Sequence, residues 1–328
     1  MYRSKIAGVG SFLPEKVLTN YDLEKMVETS HDWIVQRTGI ERRHVVSEGE
    51  GTSDMCVRAA QRALEDAKLT IDQIEMIIVC TLSGDYKMPA TACLVQAKLG
   101  AKNIMSFDLN AACSGFLYGL HVVDQFIKTG AYKNVLVIGA ESLTRILNYK
   151  DRETCILFGD GAGAFIMSRA DEGEKNYLMT AHAHAEGSLF DLLWAPGGGT
   201  LNPFSQKVLD EGSQYMIMKG KEIFKHATRA MAACCKEALA ATNTKVEEID
   251  WIVPHQANMR ITEAVSNHFD FPMEKIISTV HETGNTSAAS IPIAFDIAYR
   301  EGRIKRGQLI MLTGFGAGLT SGSALLRF

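Results

Sequence analysis

Apolar and polar positions follow two rhythms along this chain, and the rhythms alternate. Apolar runs of strand length occur at KIAGVGSFL (5–13), EMIIVCT (75–81), IMSFDL (104–109) and NVLVIGAES (134–142). Between them, apolar residues recur at helical spacing: 20–28 and 31–38 read as short helices, 52–67 as a longer one, 90–98 as another, and 113–128 as an apolar helix. CILFGDGAGAFIMS (155–168) reads as a strand interrupted by glycine turns. The later part of the chain opens with a helix near 216–241 and closes with two apolar strands joined by a glycine-rich turn in GFGAGLTSGSALLRF (314–328). Strands alternating with helices predict mostly parallel sheets covered by helices, an α/β fold. Residues 195–214, PGGGTLNPFSQKVLDEGSQY, are rich in breakers and read as a long surface loop, either functional or a plain linker.

The alternation is duplicated. RALEDAKLTIDQIEMIIVC (62–80) and EALAATNTKVEEIDWIVPH (237–255) share a helix end, a short polar turn and a buried strand. Ala63 matches Ala238, Leu64 matches Leu239, Ile74 matches Ile249 and Ile77 matches Ile252, each at an offset of 175 residues. The same offset carries Asn110 to Asn285 and Gly139 to Gly314. A spacing held without a gap over this length indicates two copies of one α/β unit, a repeat far longer than a solenoid period. The copies differ in their chemistry: Cys113 corresponds to Ala288, and Cys80 to His255. A pseudo-twofold arrangement brings equivalent loop tips together near its axis. Cys113 of one copy would then face His255 and Asn285 of the other.

A chain of 328 residues fits two halves of ordinary domain size, 1–170 with the cysteine and 171–328 with the histidine and asparagine. Hydrophobic residues at 46% and charged residues at 22% are those of a globular protein rather than a disordered one. A net charge of −4 leaves no basic footprint for nucleic acid. Seven cysteines, an odd number without framework spacing or CxxC, point to a reducing compartment and hence the cytoplasm. MYRSKIAGVG lacks the apolar core of a signal peptide, and no run of about 18 apolar residues spans a membrane.

The chemistry concentrates in three places. In FDLNAACSGFLYGL (107–120) an apolar run ends in small residues and Cys113 stands near the first turn of a helix. Free N–H groups and the helix dipole there would favour its thiolate, which makes it a candidate nucleophile; a buried structural cysteine is the other reading. His255 follows a buried strand in DWIVPHQAN, at the carboxyl end where α/β proteins place their sites. Asn285 lies in HETGNTSAAS among small residues, and by itself reads as a turn or cap residue. The glycines of GDGAGA (159–164) and GFGAG (314–318) lead into strands, so they form no dinucleotide fingerprint. No HExxH or clustered Cys/His signature marks a metal site.

Together, DWIVQRTGIERR (32–43), AACSGF (111–116), FGDGAGA (158–164), VPHQANMRI (253–261), GNTSAAS (284–290) and FGAGLTSGSALLRF (315–328) resemble the β-ketoacyl-acyl carrier protein synthase III family. These are the initiating condensing enzymes of bacterial type II fatty-acid synthesis, within the thiolase superfamily. The resemblance runs from Ile6 to Phe328 and keeps the order Cys, His, Asn. It implies the duplicated thiolase-like fold, five-layered α-β-α-β-α, in a homodimer. Cys113 would take the acyl group of an acyl-CoA, with the N–H groups of Cys113 and Ala317 as oxyanion hole. His255 and Asn285 would hold the malonyl-acyl carrier protein thioester through decarboxylation to an enolate.

The resemblance also assigns binding roles. Trp33 and Arg152 would sandwich the CoA adenine, Arg37 would meet a phosphate with Thr29 nearby, and Asn258 and Phe315 would line the pantetheine channel. Met88, Leu143 and Phe158 would bound the acyl pocket, and Lys225 and Arg260 would face the acidic carrier protein. No cofactor is implied, since acyl-CoA is a substrate. Lys221 stands where the family often has asparagine, Ser321 where tryptophan is common, and Met88 where an aromatic is frequent. The competing readings are a Cys-His-Asn condensing enzyme of secondary metabolism, polyketide or quinolone type, and an inactive scaffold on the same fold. A hydroxymethylglutaryl-CoA synthase would need an acidic residue for which no glutamate is identified.

Overall fold

A computed structural model describes residues 1–328. The apolar runs become a five-stranded sheet in the order Ser4–Phe12, Asp160–Arg169, Asn134–Ser142, Met76–Cys80, Met105–Leu109. Its last three strands are mutually parallel and the first two join by antiparallel pairing. A second sheet of four strands runs Trp251–Pro254, Leu309–Gly316, Thr320–Arg327, Leu178–Ala185. All strands of the first sheet lie within residues 4–169, and those of the second within 178–327.

Helices cover both outer faces and fill the space between. Thr52–Ala67 and Thr91–Leu99 bury Met55, Ala59, Ala63 and Val95 against Ile77, Val79 and Ile138 of the first sheet. Gly220–Thr242 buries Cys235 and Ala238 against Met311 and Leu325 of the second. Between the sheets lie Gly115–Lys128 and Ser290–Arg300, in a core of 29 buried residues. Phe116, Phe165, Phe295 and Phe328 meet edge to face through that core. Each such side chain contributes about 1.5–3 kcal/mol by leaving water. The layers are therefore α-β-α-β-α, the fold of the thiolase type.

The offset of 175 residues is structural. It carries the turn Ala112–Ser114 onto Ser287–Ala289, the helix start Gly115 onto Ser290, and the strand start Asn134 onto Leu309. Ala112 and Ser287 share even the left-handed backbone, at φ 48° and 50°. The copies part where Met105–Leu109 would map: residues 280–283 form a short helix, and only the bridge between Ile252 and Ile276 remains.

Three expectations need correction. The sheets are mixed rather than mostly parallel, with three parallel and four antiparallel pairings between their strands. Residues 155–168 are not a strand broken by glycine turns. Asp160–Arg169 is continuous, and its glycines serve packing. A Cβ on Gly163 would stand 2.7 Å from Pro292 and 2.8 Å from the Ile293 backbone nitrogen, so the central helix can lie on this strand only because Gly163 is glycine, while a Cβ on Gly161 would face the end of the Ile293 side chain at 2.9 Å. The stretch 195–214 is not wholly irregular either. It contains the helix Gln206–Glu211, capped by Ser205, and is closed by the paired strands Leu193–Trp194 and Ile217–Met218. That pairing delays the following helix to Gly220.

Candidate active site

Cys113, His255 and Asn285 line one cavity of about 860 Å³. Each is delivered by a strand end or by the turn before a central helix. Cys113 lies in the single 3₁₀ turn Ala112–Ser114 that leads into Gly115–Lys128, and is 6% exposed. The Ala112 N–H donates to Asn110 Oδ1 (3.2 Å), which fixes this turn. Gly316 passes directly over it: a Cβ there would stand 2.7 Å from the Cys113 nitrogen and 3.1 Å from its Cβ. The Thr320 hydroxyl shares its proton between the carbonyls of Ala111 (2.9 Å) and Ala317 (3.1 Å), tying the turn that holds Ala317 to the turn that holds Cys113.

Burial pushes the Cys113 thiol up to about 12, against the neighbouring Ser287 side chain, which draws it down. The resting form is the thiol. The pull of the helix start toward thiolate is outweighed by desolvation.

His255 follows the strand Trp251–Pro254, and its N–H donates to the Thr313 carbonyl (2.8 Å). The ring is 3% exposed, and burial lowers its pKa to about 4, so the imidazole is neutral near pH 7. Nδ1 is 2.7 Å from the Ser290 hydroxyl.

Asn285 is clamped on both sides of its backbone. Its N–H donates to the Leu157 carbonyl (2.8 Å), and its carbonyl accepts from Gly159 (3.0 Å). Oδ1 accepts from the Ser287 N–H (2.8 Å), which commits the oxygen and leaves the amide NH₂ to donate. The site thus holds a thiol beside two neutral donors.

The cavity extends past the other expected residues. Trp33, Arg37, Arg152, Phe158, Asn258, Arg260 and Phe315 line it, as does Lys221. The Arg37 and Arg152 guanidiniums lie 4.6 and 4.5 Å from the Trp33 ring, so insertion of an aromatic base requires Arg152 to move outward. Asn258 caps the helix Met259–Phe269 by accepting from the Ile261 N–H (3.0 Å).

Thr29, Met88, Leu143, Lys225 and Ala317 are not among the lining residues; of the turn that holds Ala317, Gly316 is the one that lines the cavity. The Thr29 hydroxyl is buried without a partner. Leu143 is fully buried in the apolar cluster behind Phe158, a consequence of following a fully buried strand. Met88 is 83% exposed on this chain, ahead of the helix that begins at Thr91. Ser321 is buried away from the cavity, with the Cys234 sulfur 3.4 Å from its hydroxyl. Sequence reasoning missed Ser290, which contacts His255, Ser287, which contacts Asn285, and Glu141, which lies behind Ser287.

A cysteine and two neutral donors at the meeting point of duplicated halves, on a thiolase-like fold, define an acyltransferase of the condensing type. Residues 107–187 match the family described as 3-oxoacyl-[acyl-carrier-protein (ACP)] synthase III, and residues 239–328 match its C-terminal part. A β-ketoacyl-[acyl-carrier-protein] synthase III of Xanthomonas campestris pv. campestris is 49% identical over 99% of this chain and 98% of its own. One from Alkalilimnicola ehrlichii is 47% identical over the full length of both. The crystal structure of 3-oxoacyl-[acyl-carrier-protein] synthase III from Aquifex aeolicus superposes with a TM-score of 0.92, at 46% identity, covering 99% of this chain and 100% of that one. The chain belongs to the β-ketoacyl-[acyl-carrier-protein] synthase III family.

Proposed function

We propose that the chain joins an acyl-CoA primer to malonyl-acyl carrier protein by decarboxylative condensation, giving 3-oxoacyl-acyl carrier protein, CoA and CO₂. This step initiates fatty-acid synthesis. The observation that carries the reading is the convergence of Cys113, His255 and Asn285 on one cavity, with Asn285 oriented by Ser287 to donate.

Cys113 attacks the thioester carbonyl of the primer and expels CoA. The N–H groups of Cys113 and Ala317 hold the oxyanion. What supports this is the close passage of Gly316 over Cys113 and the Thr320 bridge between the two turns. The carrier-protein thioester then occupies the cavity. With the Ser290 hydroxyl donating to Nδ1, the His255 proton sits on Nε2, and this N–H and the Asn285 NH₂ hold the carbonyl oxygen. Loss of CO₂ builds an enolate on that oxygen, and its carbon attacks the acyl-cysteine. A neutral imidazole stabilises the enolate without quenching it by proton transfer.

The acyl-CoA would lie along the cavity past Phe315 and Asn258 to Trp33, Arg37 and Arg152, with Thr29 behind them. Lys225 and Arg260 would meet the acidic carrier protein at the mouth. A homodimer would complete the acyl pocket with the neighbour's Met88. What favours it is the open edge of the first sheet at Met105–Leu109, together with the exposed Tyr86 and Met88. Residues 1–170 and 171–328 would act as two halves, one holding the nucleophile and one the enolate donors. No helix is long and apolar enough to cross a membrane. All seven cysteines are free, as a cytoplasmic location would keep them.

Intact-mass spectrometry after incubation with a panel of acyl-CoAs tests the reading. One acyl adduct per chain, mapped to Cys113 and absent from Cys113→Ala, is the expected result. An adduct on Cys93 or Cys155 would overturn it.

A further inference from the structure

Behind the cavity lies a carboxyl group that this chemistry leaves unused. Glu141 stands near the carboxyl end of the strand Asn134–Ser142 and is fully buried. Its oxygens accept from the Thr81 hydroxyl (3.2 Å), the Leu82 N–H (3.2 Å), the Ser83 hydroxyl and the Ser287 hydroxyl (3.1 Å). No cation pairs with it. Neutral donors alone compensate a buried carboxylate only in part, so such a group takes up a proton readily. Burial raises its pKa to about 7.

Ser287 connects this carboxyl to the nucleophile. Its hydroxyl donates to Glu141 Oε1, its turn packs against the turn that holds Cys113, and its side chain draws the Cys113 pKa down. Its backbone sits at φ 50°, a conformation non-glycine residues seldom adopt and one that the surroundings must enforce. Here the Asn285 side chain enforces it by accepting the Ser287 N–H.

The duplication explains why the device exists on one side only. The strand Asn134–Ser142 packs against the turn Ser287–Ala289 of the other copy, as Leu309–Gly316 packs against the turn Ala112–Ser114. The offset of 175 residues carries Glu141 to Gly316 and Ser287 to Ala112. Gly316 has no room for a side chain because it covers Cys113. The opposite strand end faces a turn without a nucleophile and can carry a carboxyl.

We propose that Ser287 and Glu141 form a proton relay for Cys113, an inference that rests on Cys113 being the nucleophile. During acylation the thiol proton passes to the Ser287 oxygen while the Ser287 proton passes to Glu141. The C–S bond to Cys113 forms, the C–S bond to CoA breaks, and the CoA thiolate takes a proton from solvent. The acyl-enzyme stage stores the first proton on Glu141. Condensation expels Cys113 as thiolate, and the proton returns through Ser287 to restore the thiol. Glu141 acts through Ser287 and is a positioning residue. The titratable side chains that feel its charge are the thiols of Cys56, Cys80 and Cys113, with Asp85 and Asp108 acting on Cys56 and Asp108 on Cys80 as well. His255 stays neutral above about pH 4 and adds no step near neutrality.

The test is single-turnover acylation by acetyl-CoA, read by rapid quench and intact mass on the full chain across the neutral range. The wild-type rate is expected to rise with pH around the Glu141 titration. Glu141→Gln keeps a hydrogen-bonding side chain but cannot take the proton. Its rate should fall about 100-fold at pH 7.5, within the range for a lost general base, and the limb near neutrality should vanish. Ser287→Gly suits the left-handed backbone and removes the hydroxymethyl side chain while keeping the backbone N–H; it should lose the same limb, and it decides the matter if Glu141→Gln does not fold. A folded variant that keeps the limb, or whose rate falls equally at every pH with the limb intact, overturns the relay. Peptide mapping separates the two readings. An adduct elsewhere than Cys113 sinks the nucleophile, whereas an adduct on Cys113 with an unchanged profile sinks the relay alone.

Discussion

Gly316 and Cys113 are packed so closely that a single methyl group separates a working turn from a blocked one. A Cβ on Gly316 would meet the Cys113 nitrogen at 2.7 Å and the Ser114 nitrogen at 3.1 Å. Both are backbone atoms at the start of a buried helix and cannot move aside. Gly316→Ala should therefore push the turn carrying Ala317 away from Cys113. The expected result is a loss of kcat/KM of about two powers of ten, on the scale of a displaced oxyanion donor. Stability should drop by only about 1–3 kcal/mol, as for other overpacked cores. A folded variant with ordinary kcat/KM, measured beside its urea midpoint, would remove Ala317 from the mechanism.

Ser290 is expected to matter through His255. Its hydroxyl lies 2.7 Å from Nδ1, and by donating there it would keep the ring proton on Nε2, the arrangement proposed for the enolate donor. Ser290→Ala leaves the ring free to carry its proton on either nitrogen. Malonyl decarboxylation should slow by roughly tenfold or more, since a donor is lost from part of the population, while acylation of Cys113 is nearly spared. His255→Ala and Asn285→Ala should each slow decarboxylation by about 100- to 1000-fold. Equal losses in both half-reactions would show that the division of labour is wrong.

Two buried groups give opposite pH signatures to stability. The folded-state pKa of His255 is lowered from 6.5 to about 4, so the unfolded chain binds its proton first. Its contribution is complete above pH 6.5 and is lost as pH falls toward 4. Glu141 is raised from 4.5 to about 7, so the folded chain holds its proton longer. Its contribution is complete below 4.5 and is lost as pH rises through 7. Glu141→Gln should therefore gain stability relative to wild type between pH 5 and 8, by up to about 3 kcal/mol. Denaturant midpoints of both proteins across that range check the sign. A difference that does not change with pH would mean that Glu141 is already ionised in the fold.

The strands of both copies were legible where apolar runs are continuous, because Asn134–Ser142 and Leu309–Gly316 are buried on both faces. Leu178–Ala185 escaped because it is an edge strand whose histidines and threonine dilute the apolar signal. Gly161 and Gly163 read as turns because sequence does not distinguish a glycine that bends the chain from one that admits a helix. The three residues proposed for catalysis were legible through the 175-residue offset and the family resemblance. Glu141 was not, since NVLVIGAES reads as one strand and its partner Ser287 lies in the other copy. Leu143 lies one layer behind the lining residue Phe158; adjacency to a strand end does not tell which side of the cavity wall a side chain takes.

Met88 offers the sharpest test of the proposed dimer, in which one subunit would read the primer of the other. On its own chain it is 83% exposed, beside Tyr86 at 66%, so it contributes nothing to the core of the single chain. Substitution there should leave the intrinsic stability of the subunit within about 0.5 kcal/mol, as for other surface positions. A role in the neighbour's acyl pocket predicts a different pattern. Methionine adapts its three rotatable bonds to an irregular space, and a phenyl ring does not. Each primer methylene that finds a place there is worth about 0.8 kcal/mol, close to a fourfold effect on binding. Met88→Phe should reduce kcat/KM for butyryl- and isobutyryl-CoA several-fold and leave acetyl-CoA almost unchanged. Measurement of all three primers on both proteins, alongside the oligomeric state by light scattering, separates the outcomes. A uniform loss with a shift toward monomer would assign Met88 to the dimer contact alone, and an unchanged primer ratio in an intact dimer would place the pocket's limit elsewhere.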